Sequence, residues 1–162
     1  MAEDMYLKIG DIEGETSGAL ADQIRVISWN FGAKQPATMH VNAGGGASSV
    51  SVRDLQVVKF VDKASPNLFA ACAKGTHYKD ALLTVRKAGG DQIEYLKIHM
   101  EQVIISAYDV GQEIDSNDKI KETISINCAR IKIEYAPQAG EGAAGGTLEG
   151  GWDMSKPEAW PA

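Results

Sequence analysis

The stretch Lys119–Tyr135 reads KIKETISINCARIKIEY, and its apolar phase changes partway along. Ile124, Ile126 and Cys128 fall on one face of an extended strand, whereas Ile131, Ile133 and Tyr135 fall on the other. Side chains alternate faces along a strand, so the phase must slip near Ala129. A one-residue slip inside a strand marks a β-bulge, which bends it. The stretch Ile93–Tyr108 behaves the same way, with Leu96, Ile98 and Met100 followed by Val103 and Ile105 in the opposite phase. A straight strand of ~17 residues would span ~55 Å. A compact domain of this length is only ~40 Å across. Long strands that bend and change faces make corners between packed sheets or close a barrel. The pattern therefore predicts a mainly β chain, an antiparallel two-sheet β-barrel with one short flanking α-helix.

The helix is the stretch Ser65–Gly75, SPNLFAACAKG. Ser65 is suited to cap the first turn, and Pro66 to follow it where a missing N–H costs nothing. Leu68 and Cys72 are four apart, as are Phe69 and Ala73, so one side can bury. Lys74 suits the negative end of the helix, and Gly75 the left-handed residue that ends it. About ten residues of helix are not stable alone, so the strands must hold it through Leu68 and Cys72. Further strands are expected at Met5–Ile12, Gln23–Gln35, Val50–Asp62 and Asp80–Lys87, the last followed by a Gly-Gly-Asp turn of hairpin type. In the second of these, Ile27, Trp29 and Phe31 share one face, and Ser28 and Asn30 the other. Pro36–Ser49 is a long loop centred on Gly44, Gly45 and Gly46, with Met39 and Val41 its apolar residues; loops of this length are usually functional or disordered. Residues 1–135 read as one domain. Residues 136–162, rich in Gly, Pro and Ala, read as a largely flexible tail.

A chain of 162 residues suits one domain with a sizeable core. Its net charge of −6 argues against nucleic-acid binding and against attraction to anionic lipid. The start, MAEDMYLK, lacks the basic residues and apolar run of a secretory signal, and no apolar run approaches the ~18 residues that would span a membrane. Synthesis in the cytoplasm is expected, with any export requiring no cleaved signal. Cys72 and Cys128 read as buried, reduced thiols.

No motif carries chemistry. His40, His77 and His99 are too far apart in sequence to form a local metal site; His99, beside Lys97 and Glu101, reads as solvated, and His77 as packed or capping. The Gly44–Gly46 run lacks the Lys-Ser/Thr ending of a phosphate loop. Asp115–Lys119 starts like a calcium loop but has Lys at the fifth position and no glycine at the sixth. No serine elbow is present. No catalytic residue, metal or cofactor is expected.

Several blocks in order, MYLKIGDIEGE, DKASPNL, KGTHY, RKAGG and IEYLKI, resemble the haemolysin-coregulated protein (Hcp) family, the tube subunits of bacterial type VI secretion. The resemblance runs from about Met5 to Tyr135, with a weaker echo at Gly151–Trp152. It implies the same barrel, a homo-hexameric ring, rings stacked into a tube inside a contractile sheath, a spike protein at the tip and small effector proteins in the lumen. It implies a protein secreted without a cleaved signal peptide and without enzymatic activity. On this resemblance Ser28 and Asn30 would face the lumen and contact effectors, and the loop bearing Met39, Val41 and Gly44–Gly46 would lie on a neighbouring subunit. Two readings from other classes are a monomeric ligand-binding barrel, which needs an apolar internal cavity, and an enzyme with a site spread over strands.

Overall fold

The computed structural model describes residues 3–36, 50–87, 93–112, 119–137 and 146–161. The strands are β1 (Glu3–Ile9), β2 (Ile24–Val26), β3 (Ser28–Asn30), β4 (Ala33–Lys34), β5 (Ser51–Val52) and β6 (Leu55–Phe60), then β7 (His77–Lys87), β8 (Glu94–Gly111), β9 (Lys121–Tyr135), β10 (Leu148–Asp153) and β11 (Glu158–Ala159). The helix α1 (Ser65–Lys74) lies between β6 and β7 and packs on β8. Every pairing is antiparallel.

The hydrogen-bonded circuit returns to its start. β1 pairs with β7, β7 with β8, β8 with β9, β9 with β6, and β6 with β3. β3 continues back through Ile27 into β2, which pairs with β1. The Ile27 amide donates to the Val58 carbonyl at 2.8 Å, so the bend stays tied to the sheet. This closes an antiparallel barrel of two sheets, and Leu7, Ile24, Val57, Leu83, Ile98, Met100, Ile105 and Ile126 fill its interior. A separate two-stranded ladder, β4–β5, stands beside it, with Val52 packed against the core.

The corner between the sheets lies where the apolar phase slips. In β9 Ile124 and Ile126 point inward, then Ile131 does; in β8 Ile98 and Met100, then Val103 and Ile105. The expected bulge at Ala129 is not how this happens. Glu101 pairs with Arg130 and Val103 with Cys128, so the register is unbroken and both strands change face together. The backbone device is Gln102, opposite Ala129, at φ 57°, a left-handed conformation uncommon for a residue with a Cβ. A register shift does occur in this ladder, at Ser106 between Ile105 and Ala107. The segment β2–β3 turns the same corner: Ile24 and Val26 are buried, then Trp29 packs on the core, and Ile27 borders an outer cleft in place of its expected inward position. At the corner β9 also exchanges its second partner, from β6 along Lys121–Ile126 to β10 along Arg130–Tyr135.

Two expectations need correction. The stretch read as a flexible tail contributes β10 and β11, and Gly151 makes this possible. A Cβ there would stand 2.6 Å from the Ile131 carbonyl oxygen and 2.3 Å from that of Trp160. Ser65 does not cap α1; Ala64 holds the cap position without a side-chain hydrogen bond, and the Ser65 hydroxyl turns into the protein. Pro66 and Gly75 stand as read, with Gly75 left-handed at φ 64°.

Candidate functional site

The corner gives the β8–β9 ladder two outward surfaces of different chemistry. On the side of Lys121–Asn127, the residues pointing away from the core are Thr123, Ser125 and Asn127 of β9, Gln56 and Val58 of β6, Ser28 and Asn30 of β3, and Ile104 of β8. Ser28 and Asn30 are both exposed. Asn30 Nδ2 donates to Gln56 Oε1 at 3.3 Å across the β3–β6 pair. Asp54, within this surface, accepts from Ser106 Oγ at 2.5 Å and from Asn127 Nδ2 at 2.8 Å, which ties its charge to neutral donors. Asp109 stands at the far end, opposite Thr123. The surface is therefore mostly amides and hydroxyls, with Val58 and Ile104 among them and Asp54 and Asp109 as its carboxylates.

Beyond the corner the outward residues are Lys97, His99 and Glu101 of β8 and Arg130, Lys132 and Glu134 of β9. Opposite charges pair here across strands. Arg130 meets Glu101 at 2.8 Å, Lys132 meets Glu149 of β10 at 3.2 Å, and His99 Nε2 sits 2.6 Å from Glu134 Oε2. His99 is thus half-buried and partnered, where the sequence suggested a solvated residue. Trp160 lies under Arg130 and Lys132, with its ring centroid 6.0 and 5.5 Å from them.

A third feature lies inside the barrel beneath α1. Lys59 and Glu122 are fully buried and directly paired. Lys59 Nζ also donates to the Phe60 carbonyl at 2.9 Å and to Asp62 Oδ1 at 3.0 Å. Ser65 Oγ donates to Glu122 Oε1 at 2.6 Å and accepts from the Asp62 amide at 3.0 Å. Tyr108 donates to Glu122 Oε2 and makes an edge contact with Phe69 of α1 at 5.7 Å. Burial, then the hydrogen bond to Glu122, pushes the Tyr108 phenol up to about 12. The cluster joins β6, β8, β9 and α1, so it fixes the helix over one end of the barrel. Sequence reading missed it, although the signal was there. Lys59 shares the phase of Leu55 and Val57, and Glu122 that of Ile124 and Ile126.

Leu68 is fully buried, and Cys72 packs half-buried against the same core. Burial, with Asp54 adding, pushes the Cys128 thiol up to about 12, which leaves it a poor nucleophile. His77 is exposed at the start of β7. Met39, Val41, Gly44, Gly45, Gly46 and His40 lie outside the described residues. Among the described residues no three His, Cys, Asp or Glu side chains gather as metal ligands, and no helix is long and apolar enough to cross a membrane.

A closed barrel with a filled interior and two contrasting outer surfaces defines a protein of surfaces. The family described as "Type VI secretion system effector, Hcp" matches residues 6–135. Protein hcp1 of Pseudomonas aeruginosa is 42% identical over 157 residues, covering 95% of this chain and 96% of that one. The crystal structure of Hcp1 from Salmonella typhimurium superposes with a TM-score of 0.82 at 34% identity, over 98% of this chain and 99% of that one. A structure described as a type six secretion system protein superposes with a TM-score of 0.89 at 26% identity and the same coverage. The chain belongs to the Hcp family, the secreted tube proteins of type VI secretion.

Proposed function

We propose that six copies form a ring, that rings stack into the inner tube, and that the polar, charge-poor face bearing Ser28 and Asn30 lines the lumen and holds passenger proteins. The observation that carries this is the contrast on one ladder: amides and hydroxyls before the corner, ion pairs beyond it. A lumen for varied passengers favours neutral polar groups, since fixed charges select one sign of partner. Asp54 keeps its charge on this face but is held against the sheet by the Ser106 hydroxyl and the Asn127 amide. The filled interior favours this role over that of a ligand-binding barrel, and the protein acts without catalysis. A sheath outside the tube, a spike at its tip, small effectors within it and export without a cleaved signal complete the reading. The loop around Met39, Val41 and Gly44–Gly46 follows from the β4–β5 ladder, and we assign it to contacts with a neighbouring subunit. Light scattering after gel filtration should give six times the 17.3 kDa chain mass. A monomer mass at all concentrations would overturn the ring.

A further inference from the structure

One further cleft belongs to neither surface. It has a volume of about 510 Å³ and lies between the outer side of β1, β2 and β7 and the end of β6. Arg86 forms its wall. The guanidinium sits 5.0 Å from the centroid of the Tyr6 ring, and Nη2 donates to the Tyr6 hydroxyl at 3.3 Å. Only 13% of the Arg86 side chain is exposed, and its buried Nε has no hydrogen-bond acceptor. Asp4 stands 3.8 Å from that Nε and 3.7 Å from Arg25 Nη2, beyond hydrogen-bond length from both. Arg25 pairs in register with Tyr6 and reaches the rim. Lys119 completes the rim, 5.6 Å from the centroid of the Phe60 ring.

The acids lining the cleft are engaged elsewhere. Glu15 Oε1 accepts the Lys63 amide at 2.8 Å, and Asp62 Oδ1 accepts Lys59 Nζ and the Ala64 amide. Among the described residues the two arginines share one carboxylate, Asp4, in long ion pairs that leave the Arg86 Nε without a hydrogen bond, and Lys119 has no ion pair. A guanidinium largely removed from water with an open donor is costly, and such groups ordinarily have a partner. The planar fork of an arginine fits a carboxylate, and an aromatic ring beneath it holds the fork in place.

We propose that this cleft binds a carboxylate, with Arg86 and Arg25 supplying the hydrogen bonds and Lys119 a third positive charge. The carboxylate comes either from a free small polycarboxylate or from an acidic side chain of a neighbouring copy, which a chain of net charge −6 offers in excess. The site does not depend on passengers or on the lumen.

Citrate is the probe, titrated calorimetrically at low salt into the full chain, into Arg25→Gln/Lys119→Gln and into Arg86→Lys. The double variant changes exposed rim residues, and circular dichroism verifies its fold. Wild type should give a saturable isotherm. Both variants should weaken it by roughly tenfold or more, as loss of charge-assisted hydrogen bonds does. Light scattering separates the two sources. If a neighbouring copy supplies the carboxylate, citrate lowers the assembled mass and the double variant assembles poorly. If a free anion does, the mass is unchanged and citrate raises the thermal midpoint of wild type alone. Equal citrate binding by all three proteins, or no citrate binding together with unchanged assembly of the variants, overturns the proposal. A wild type that binds citrate as a monomer would instead count against the ring and leave the cleft standing.

Discussion

The two halves of the β8–β9 ladder are built from the same two strands, yet they solve opposite problems. Before the corner, charge is drawn inside: Lys59 and Glu122 are buried under α1, and the outer face is left to Thr123, Ser125 and Asn127. Beyond the corner the interior is aliphatic, with Ile98, Met100 and Ile131, and charge is set outside in pairs such as Arg130–Glu101. The lesson is that a strand's parity assigns chemistry to surfaces. One left-handed residue, Gln102, lets a single ladder present a charge-poor face and a charge-rich one.

The two placements of charge differ most in what it costs to break them. Glu122→Ala should lose about 3 kcal/mol, at the low end for a broken buried pair, because it removes the buried partner of Lys59 and leaves Asp62 as its one described counter-charge. Lys59→Met/Glu122→Leu should recover much of that loss, since an apolar pair of similar volume is often neutral. Urea unfolding measures both; a single-variant loss within ordinary surface range, roughly 0.5 kcal/mol, would show that the pair is not buried. The same cluster should weaken in alkali. Tyr108 keeps its proton up to about 12 when folded, against 10.0 in the open chain. Its contribution is therefore complete below pH 10 and is lost as pH rises from 10 to 12. Tyr95, raised to about 12 by burial and by its bond to Glu3, adds loss in the same window. Tyr108→Phe should flatten the fall in urea midpoint only in part; an unaltered slope would remove Tyr108 from the account.

The corner itself comes next in size. Gln102→Val should cost ~1–2 kcal/mol, because a β-branched residue resists the left-handed region. The same change at an ordinary exposed strand site should be near neutral, so equal costs at both sites would contradict the kink. Smallest is the outer pair. Glu101→Gln should cost under ~1 kcal/mol, and less at high salt, as exposed pairs do.

The fold was legible because the apolar phase of Lys119–Tyr135 and of Ile93–Tyr108 carries the corner directly. Leu68 and the Gly75 stop were legible for the same local reason. The mechanism of the corner was not, since a paired change of face and a bulge leave the same trace in a single strand. Lys59 and Glu122 were overlooked because charged residues are ordinarily placed in water. Only their distant pairing makes an inward position tolerable. β10 was hidden by Gly150 and Gly151, which break the alternation that marks a strand, while Gly151 permits the close approach to β9 and Trp160. The Arg86 cleft joins strands far apart in sequence, and no local spacing could announce it.

Native mass measurement on wild type and on Asn30→Arg, each co-expressed with a passenger, tests the central claim most directly. Asn30 is exposed and its one described side-chain bond is a surface contact to Gln56, so the substitution should leave the fold and the ring intact. The account predicts a six-fold ring for both proteins, with the passenger bound to wild type and largely absent from Asn30→Arg. Rings that retain the passenger equally would contradict the assignment of the charge-poor face, and an unfolded Asn30→Arg chain would contradict the outward position of Asn30.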